Sequence, residues 1–317
     1  MAEHFLDDSV VHAFWDRDHP ARLEIASGDT VTFACRDASD AQITPASDAN
    51  AYVGFDASRA HALTGPVFVD GAEPGDALEV EILGLRHHGW GWTAFRPGGI
   101  GLIPDEFEAP YLQHWTLDGD SCRFRDSDEV RVPFEPFCGV MGVAPARPGR
   151  LNTTPPRANA GNIDIRGLTV GATGFFPVLA PGALFSTGDC HAAQGDGEVC
   201  GTGIEAPMTV TLRFRVRKDL SVRELQFTTP SPLTRADSAG YFATTAHGPD
   251  LYENARTAVR DMVAWLAARH GLTREKAYVL CSAAADLKIS EVVDVPNWIV
   301  SCYLPLGVLR AHAGPER

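Results

Sequence analysis

The run Met208-Thr-Val-Thr-Leu-Arg-Phe-Arg-Val alternates apolar and polar residues, and Ala77-Leu-Glu-Val-Glu-Ile-Leu does the same. A period of two sends alternate side chains to opposite faces, so such runs belong in sheets with one face buried. Leu78, Val80 and Ile82 should face a core, and Glu79 and Glu81 should face water. Further strands read from Arg22-Leu-Glu-Ile-Ala and Thr30-Val-Thr-Phe-Ala-Cys, separated by Ser27-Gly-Asp, and from Thr64-Gly-Pro-Val-Phe-Val, which ends in a glycine turn. Strand patterns resume over 168–186, and Asn297-Trp-Ile-Val-Ser-Cys-Tyr-Leu is a final one. Residues 84–125, rich in Gly, Trp and His, show no clear period. Helical spacing is confined to the C-terminal third. Leu251, Ala255, Ala258, Val259, Met262, Val263 and Leu266 form one stripe over 250–269, with Gly271 as its stop, and a second helix runs from Thr273 to about Ala285. The class predicted is mainly β, α+β by content, with a few helices near the end.

The proline-rich stretch around 144–160 is the best boundary in a chain of 317 residues. It divides a β-rich region (1–150) from a region (151–317) that holds the densest chemistry and the helices. The two are expected to form one intertwined compact unit.

Forty-one acidic against 27 basic residues give a formal net charge of −14, and no Lys/Arg run occurs. A phosphate-binding surface needs a basic patch, so nucleic acid and anionic membranes are poor partners. No apolar run approaches the roughly 18 residues that span a bilayer. The start, Met-Ala-Glu-His-Phe-Leu-Asp-Asp, lacks a basic segment followed by an apolar one, so a cytoplasmic protein is expected. Seven cysteines without a CxxC pair are expected as reduced, buried thiols.

Chemistry concentrates in Ser186-Thr-Gly-Asp-Cys-His-Ala-Ala-Gln-Gly-Asp-Gly-Glu-Val-Cys-Gly-Thr-Gly-Ile-Glu. Asp189 and His191, two apart, leave the same face of a strand. Gly195 and Gly197 allow a turn that returns Asp196 and Glu198 toward that face. Carboxylates with an imidazole suit a hard or borderline divalent cation, and the interleaved Ala, Val and Ile favour a buried site over a surface loop. Asn159-Ala-Gly-Asn-Ile-Asp offers Asn162 and Asp164 to one face, or equally an Asx turn. Cys138, in an apolar strand, reads as a structural thiol before a nucleophile. His61 and Glu73 read as structural, and His87-His88 beside Trp90 and Trp92 as a partly exposed aromatic patch. No GxSxG elbow or phosphate loop occurs.

Four segments carry a resemblance to the acetamidase/formamidase family: Leu63-Thr-Gly-Pro-Val-Phe-Val-Asp-Gly-Ala-Glu-Pro-Gly-Asp, Phe137-Cys-Gly-Val-Met-Gly-Val-Ala, Ala160-Gly-Asn-Ile-Asp, and the segment from Gly188 to Glu205. Lys276-Ala-Tyr-Val-Leu-Cys-Ser and Asp286-Leu-Lys-Ile-Ser extend it over nearly the whole chain. The resemblance implies a β-sandwich-like fold, a homo-oligomer, and hydrolysis of formamide or acetamide to carboxylate and ammonia. It also implies a divalent metal, Zn2+ with Ca2+ as the alternative, held by Asp164, Asp189 and His191 with Asp196 and Glu198 nearby. On this reading Glu198, with Asp196 as the other candidate, moves the proton of an activated water, and Asn162 or Gln194 holds the substrate. One departure stands out: Asn159 occupies a place where family members often have histidine, a change that would touch metal binding or substrate choice. The alternatives are an amidase with Cys138 or Cys190 as nucleophile, and a metal-binding member without catalysis.

Overall fold

The computed structural model describes residues 1–230, 239–292 and 295–309. Strands hold 40% of the residues and helices 16%, which makes the fold mainly β. Two six-stranded sheets dominate. The first runs in the order Glu3–Leu6, Thr30–Cys35, Met208–Arg217, Ala77–His87, Thr173–Pro177, Gln226–Thr228. The second runs Ala160–Asn162, Phe137–Gly142, Phe185–His191, Leu63–Val69, Val11–His12, with Leu23–Ile25 parallel to Leu63–Val69. Both sheets draw strands from either side of residue 150, and one apolar cluster reaches from Leu6 to Val308.

The alternating runs bury the faces that the pattern assigns: Leu78, Val80, Ile82, Val210, Leu212 and Phe214 are inaccessible or nearly so. Phe185 of the second sheet packs edge-on against Phe214 and Phe176 of the first, with centroids 5.2 and 5.5 Å away. Such contacts bind the two sheets into one core. Glu79 corrects the expected alternation, since only 8% of it is exposed. Antiparallel register sets Arg215 opposite it, and Arg215 and Arg217 pair with its carboxylate at 2.8 and 2.6 Å. Two cross-strand guanidinium groups cover the position that was expected to be wet.

The segment without a clear period supplies Trp90–Phe95, Tyr111–Asp118 and Ser121–Phe124, which with Arg131–Pro133 form a four-stranded sheet. Trp92 is therefore not part of an exposed patch: it is 2% exposed and its Nε1 donates to Asp37 Oδ2 at 2.8 Å.

Helices are not limited to the last third. A short helix, α1 (Ala49–Gly54), is capped by the Asp48 carboxylate, which accepts from the Asn50 and Ala51 amides. Six residues are too few for a helical stripe to show in sequence. The foreseen helices are α2 (Leu251–His270), ended by Gly271 at φ +66°, and α3 (Arg274–Ala284), whose cap Thr273 accepts from Lys276 N at 3.2 Å. The α2 helix lies on a three-stranded sheet of Tyr241–Gly248, Trp298–Pro305 and Asp286–Glu291, where Trp265 stacks on Phe242 at 3.7 Å. Among the described residues no helix is long and apolar enough to cross a membrane.

Candidate metal centre

The strand Phe185–His191 is buried along its whole length. At its end Asp189 Oδ1 lies 3.5 Å from His191 Nε2. Asp164 reaches the same imidazole from the neighbouring strands. Ala160–Asn162 pairs with Phe137–Gly142, and the Ile163 and Asp164 amides then both donate to Gly139 O, at 3.0 and 3.2 Å. That turn brings Asp164 Oδ1 to 3.9 Å from His191 Nε2.

A fourth group, Glu205, is closest of all: its Oε2 is 3.2 Å from His191 Nε2. Residues 204–206 run between two strands and hold it there. Ala192 N donates to Ile204 O and Ala206 N to Cys190 O on one side, while Trp92 and Glu205 exchange two backbone bonds on the other. The other carboxylate oxygen of Glu205 accepts from Gly203 N at 2.9 Å. Sequence reasoning assigned no role to Glu205, although it closes the quoted cluster. The available signal was an acidic residue between Ile and Ala in an apolar stretch.

Glu198 approaches from the loop over 195–201, its ligand atom grouping with those of His191 and Glu205 within 4.8 Å. The α3 helix sets this loop. Ser282 O accepts from Gly195 N, Ser282 Oγ accepts from Cys200 N and donates to Thr202 O, and Tyr278 OH donates to Val199 O. Four residues of this cavity, His61, Asp164, Asp189 and Glu198, have φ between +42° and +57°. Non-glycine residues in that region cost on the order of 1–3 kcal/mol each and persist only where their surroundings demand it.

Gln194 settles the chemistry of the imidazole. Its Nε2 donates to Asp164 O at 3.0 Å, so its Oε1 is the acceptor 2.7 Å from His191 Nδ1. Nδ1 therefore carries a proton, and Nε2 is the atom presented to the carboxylates. Both ends of the Gln194 amide are thus engaged within the chain, and Gln194 is not among the residues that line the cavity. Close approach at two glycines makes room. A methyl on Gly139 would lie 2.6 Å from Asp164 Oδ1, and one on Gly203 2.6 Å from His191 Nδ1.

The electrostatics of this cluster call for positive charge. Burial, then the charges of Glu198 and Asp189, push Asp164 well above the ordinary carboxylate range. Burial likewise lifts Glu198 and Glu205 to about 8, with their carboxylate neighbours adding to the rise. For His191 burial alone favours the neutral ring, but Glu205 and Asp189 outweigh it and raise the pKa well above the usual value. Asp189 is held low despite its burial, by His61 and His191. Seven buried side-chain polar atoms lack a partner among the described residues, and four converge here: Asp164 Oδ1, Asp189 Oδ1, His191 Nε2 and Glu205 Oε2. Buried polar atoms without partners are rare, so four around one point is the signature of a missing shared partner. Three carboxylates and one imidazole nitrogen fit a divalent cation.

A cavity of about 110 Å³ opens over the cluster, lined by its carboxylates and by Asn162, His61, Tyr52, Phe55, Trp92 and Ile100. Asn162 donates from Nδ2 to Thr154 O, and its Oδ1 is left buried and unpartnered. His61, read from sequence as structural, is therefore a wall of the site. Asp196 is not brought in. It is exposed, and the chain there is tied outward, Asp196 N donating to Asp286 Oδ1 and Leu287 N to Asp196 O. Asn159 is buried, its Nδ2 donating to Val143 O at 2.9 Å, and it is not among the residues that line the cavity. Cys138 and Cys190 face each other across the strands, Sγ to Sγ 3.8 Å, fully buried and outside the cavity lining. A thiol nucleophile would have no access to substrate there.

Fold and site together define a β-rich protein with a buried carboxylate–imidazole centre able to hold a metal ion beneath a small cavity. The chain belongs to the acetamidase/formamidase family, whose profile matches residues 2–150 and 147–311. It is 26% identical to a formamidase of Methylophilus methylotrophus over 98% of this chain and 92% of the relative. Among solved structures it is similar to an acetamidase of Bacillus halodurans, at 32% identity, TM-score 0.67, and coverage of 95% and 97% of the two chains. A gamma lactamase of Delftia acidovorans shares the fold at TM-score 0.90 and 24% identity, covering 99% of this chain and 95% of that one.

Proposed function

We propose that this amide hydrolase cleaves short aliphatic amides, formamide or acetamide, to carboxylate and ammonia with water activated at the Asp164–Asp189–His191–Glu205 centre. The relatives named formamidase and acetamidase support the reaction class. The observation that carries the metal reading is the convergence of four buried, unpartnered ligand atoms, three of them on carboxylates that line one cavity and the fourth on His191. Zn2+ suits the donor set better than Ca2+, because an imidazole nitrogen is a good zinc ligand and calcium takes six to eight oxygens. Such a cation would acidify water and polarise a carbonyl oxygen.

The residues of the chain supply the rest. Asn162 Oδ1, its orientation fixed by Thr154 O, accepts an N–H of the substrate amide. Glu198 takes the proton of the attacking water as oxygen bonds to the carbonyl carbon. It returns that proton to nitrogen as the C–N bond breaks and ammonia leaves. Burial, the largest cause of its raised pKa, persists when a cation is bound and favours a group that takes up a proton readily. Gln194 keeps Nε2 of His191 turned to the ligands. Seven free, buried cysteines support a reducing compartment such as the cytoplasm.

Chelation followed by reconstitution tests the proposal, with ammonia release from formamide and acetamide as the readout. Loss on stripping and recovery with Zn2+ are expected. Full activity in protein shown by elemental analysis to be metal-free would overturn it.

A further inference from the structure

The cavity is lined by two kinds of side chain: the carboxylates with Asn162 and His61, and the aromatic and aliphatic groups of Tyr52, Phe55, Trp92 and Ile100. Formamide has no carbon beyond its carbonyl and leaves an apolar wall uncovered. We propose that these four side chains form an acyl subsite, so that the enzyme prefers amides with a compact apolar acyl group of two or three carbons over formamide. This rests on the amide-hydrolase reading and adds to it which acyl groups are taken and which residues choose them.

The wall is built rather than accidental. Tyr52 is 7% exposed, stacked on Phe55 with ring centroids 5.6 Å apart and planes 15° apart, and it leans on Trp92 at 5.8 Å. Trp92 is pinned in turn by Asp37. The inner part of the wall is therefore rigid. Its outer part is Phe55, which follows α1, and Ile100, a large apolar side chain 64% exposed. An acyl chain seated between them covers apolar surface that water otherwise wets, worth about fourfold in kcat/KM for each methylene buried. The size limit comes from the volume. At roughly 30 Å³ for a water-sized group, about 110 Å³ takes the three heavy atoms of an amide head and about one further carbon, so a third acyl carbon must extend into the cavity mouth.

The experiment is a chain-length profile, measured as kcat/KM for formamide, acetamide, propionamide, butyramide and valeramide on the metal-loaded enzyme. The wild type is expected to rise by about fourfold per carbon to acetamide or propionamide and then fall. Phe55→Ala moves the maximum one or two carbons longer, and Phe55→Trp moves it back toward formamide. Ile100→Ser, at an exposed position, flattens the rising limb and serves if the Phe55 variants fold poorly. A profile highest at formamide, or one of unchanged shape in all the variants, overturns the acyl subsite while leaving amide hydrolysis standing. Absence of ammonia from every amide overturns the hydrolase reading, and this one with it.

Discussion

A single methyl group at Gly139 should disable the centre without removing any functional atom. In Gly139→Ala the new carbon would sit 2.6 Å from Asp164 Oδ1, 2.8 Å from Asp189 O and 3.0 Å from Asp189 Oδ2. Ordinary contact begins near 3.4 Å, so the Asp164 oxygen is about 0.8 Å too close and the Asp189 backbone about 0.6 Å. The backbone of Gly139 itself adopts no positive φ, so alanine is conformationally acceptable and the effect is steric alone. The strand Phe137–Gly142 is buried throughout and cannot retreat, so the two ligands must shift. Overpacking of this kind costs about 1–3 kcal/mol of stability, and a displacement approaching 1 Å at a catalytic constellation costs on the order of 10²-fold in rate. Ammonia release and zinc uptake by titration calorimetry should both fall, while circular dichroism shows a folded protein. Gly84→Ala is the control: its added carbon meets nothing within 4 Å, and it should behave as wild type. Wild-type turnover and zinc affinity in Gly139→Ala would refute the proposed geometry.

Three further outcomes follow from the same site. Glu198→Gln should lower turnover by 10²–10⁴-fold with a much smaller change in zinc affinity, and equal losses in both would make Glu198 a ligand instead of a base. Chelator-treated protein should lose thermal stability as pH rises from about 4.5 to 8. Glu198 and Glu205 have pKa values raised from 4.5 to about 8, so the stabilisation they give when protonated is complete below 4.5 and gone above 8. Zinc should abolish that slope, and melting curves across this range, with and without metal, check both statements. Ser282→Ala removes the donor to Thr202 O and the acceptor for Cys200 N, and should destabilise by about 1–3 kcal/mol in urea unfolding. It should also lower turnover, because the loop that carries Glu198 loses its anchor on α3.

Much of this protein is legible in short range. Period-two alternation located the strands Ala77–His87 and Met208–Arg217, because burial of one sheet face writes itself directly into neighbouring residues. The α2 stripe and its glycine stop were legible for the same reason, as was the pairing of Asp189 with His191, which needs only two positions on one strand. Asn162 could be placed at the site because it lies two residues from Asp164.

What failed to show is what depends on distant partners. Glu205 becomes a candidate ligand because backbone bonds to Trp92 and to the strand before it turn its carboxylate onto His191. Asp196 and Glu198 look alike in an Asp-Gly-Glu loop, yet packing sends them opposite ways. Gly195 is pressed against Ala285, and Leu287 N binds Asp196 O, so the chain swings Asp196 to the surface before Glu198 returns to the cavity. The strand-rich class, the main helices and the kind of ligand atoms on offer could be read from the chain alone, because they follow from local periodicity and side-chain chemistry. Which carboxylates meet at one imidazole emerged with the folded chain, since that depends on contacts between residues far apart in sequence and on the room left by Gly139 and Gly203.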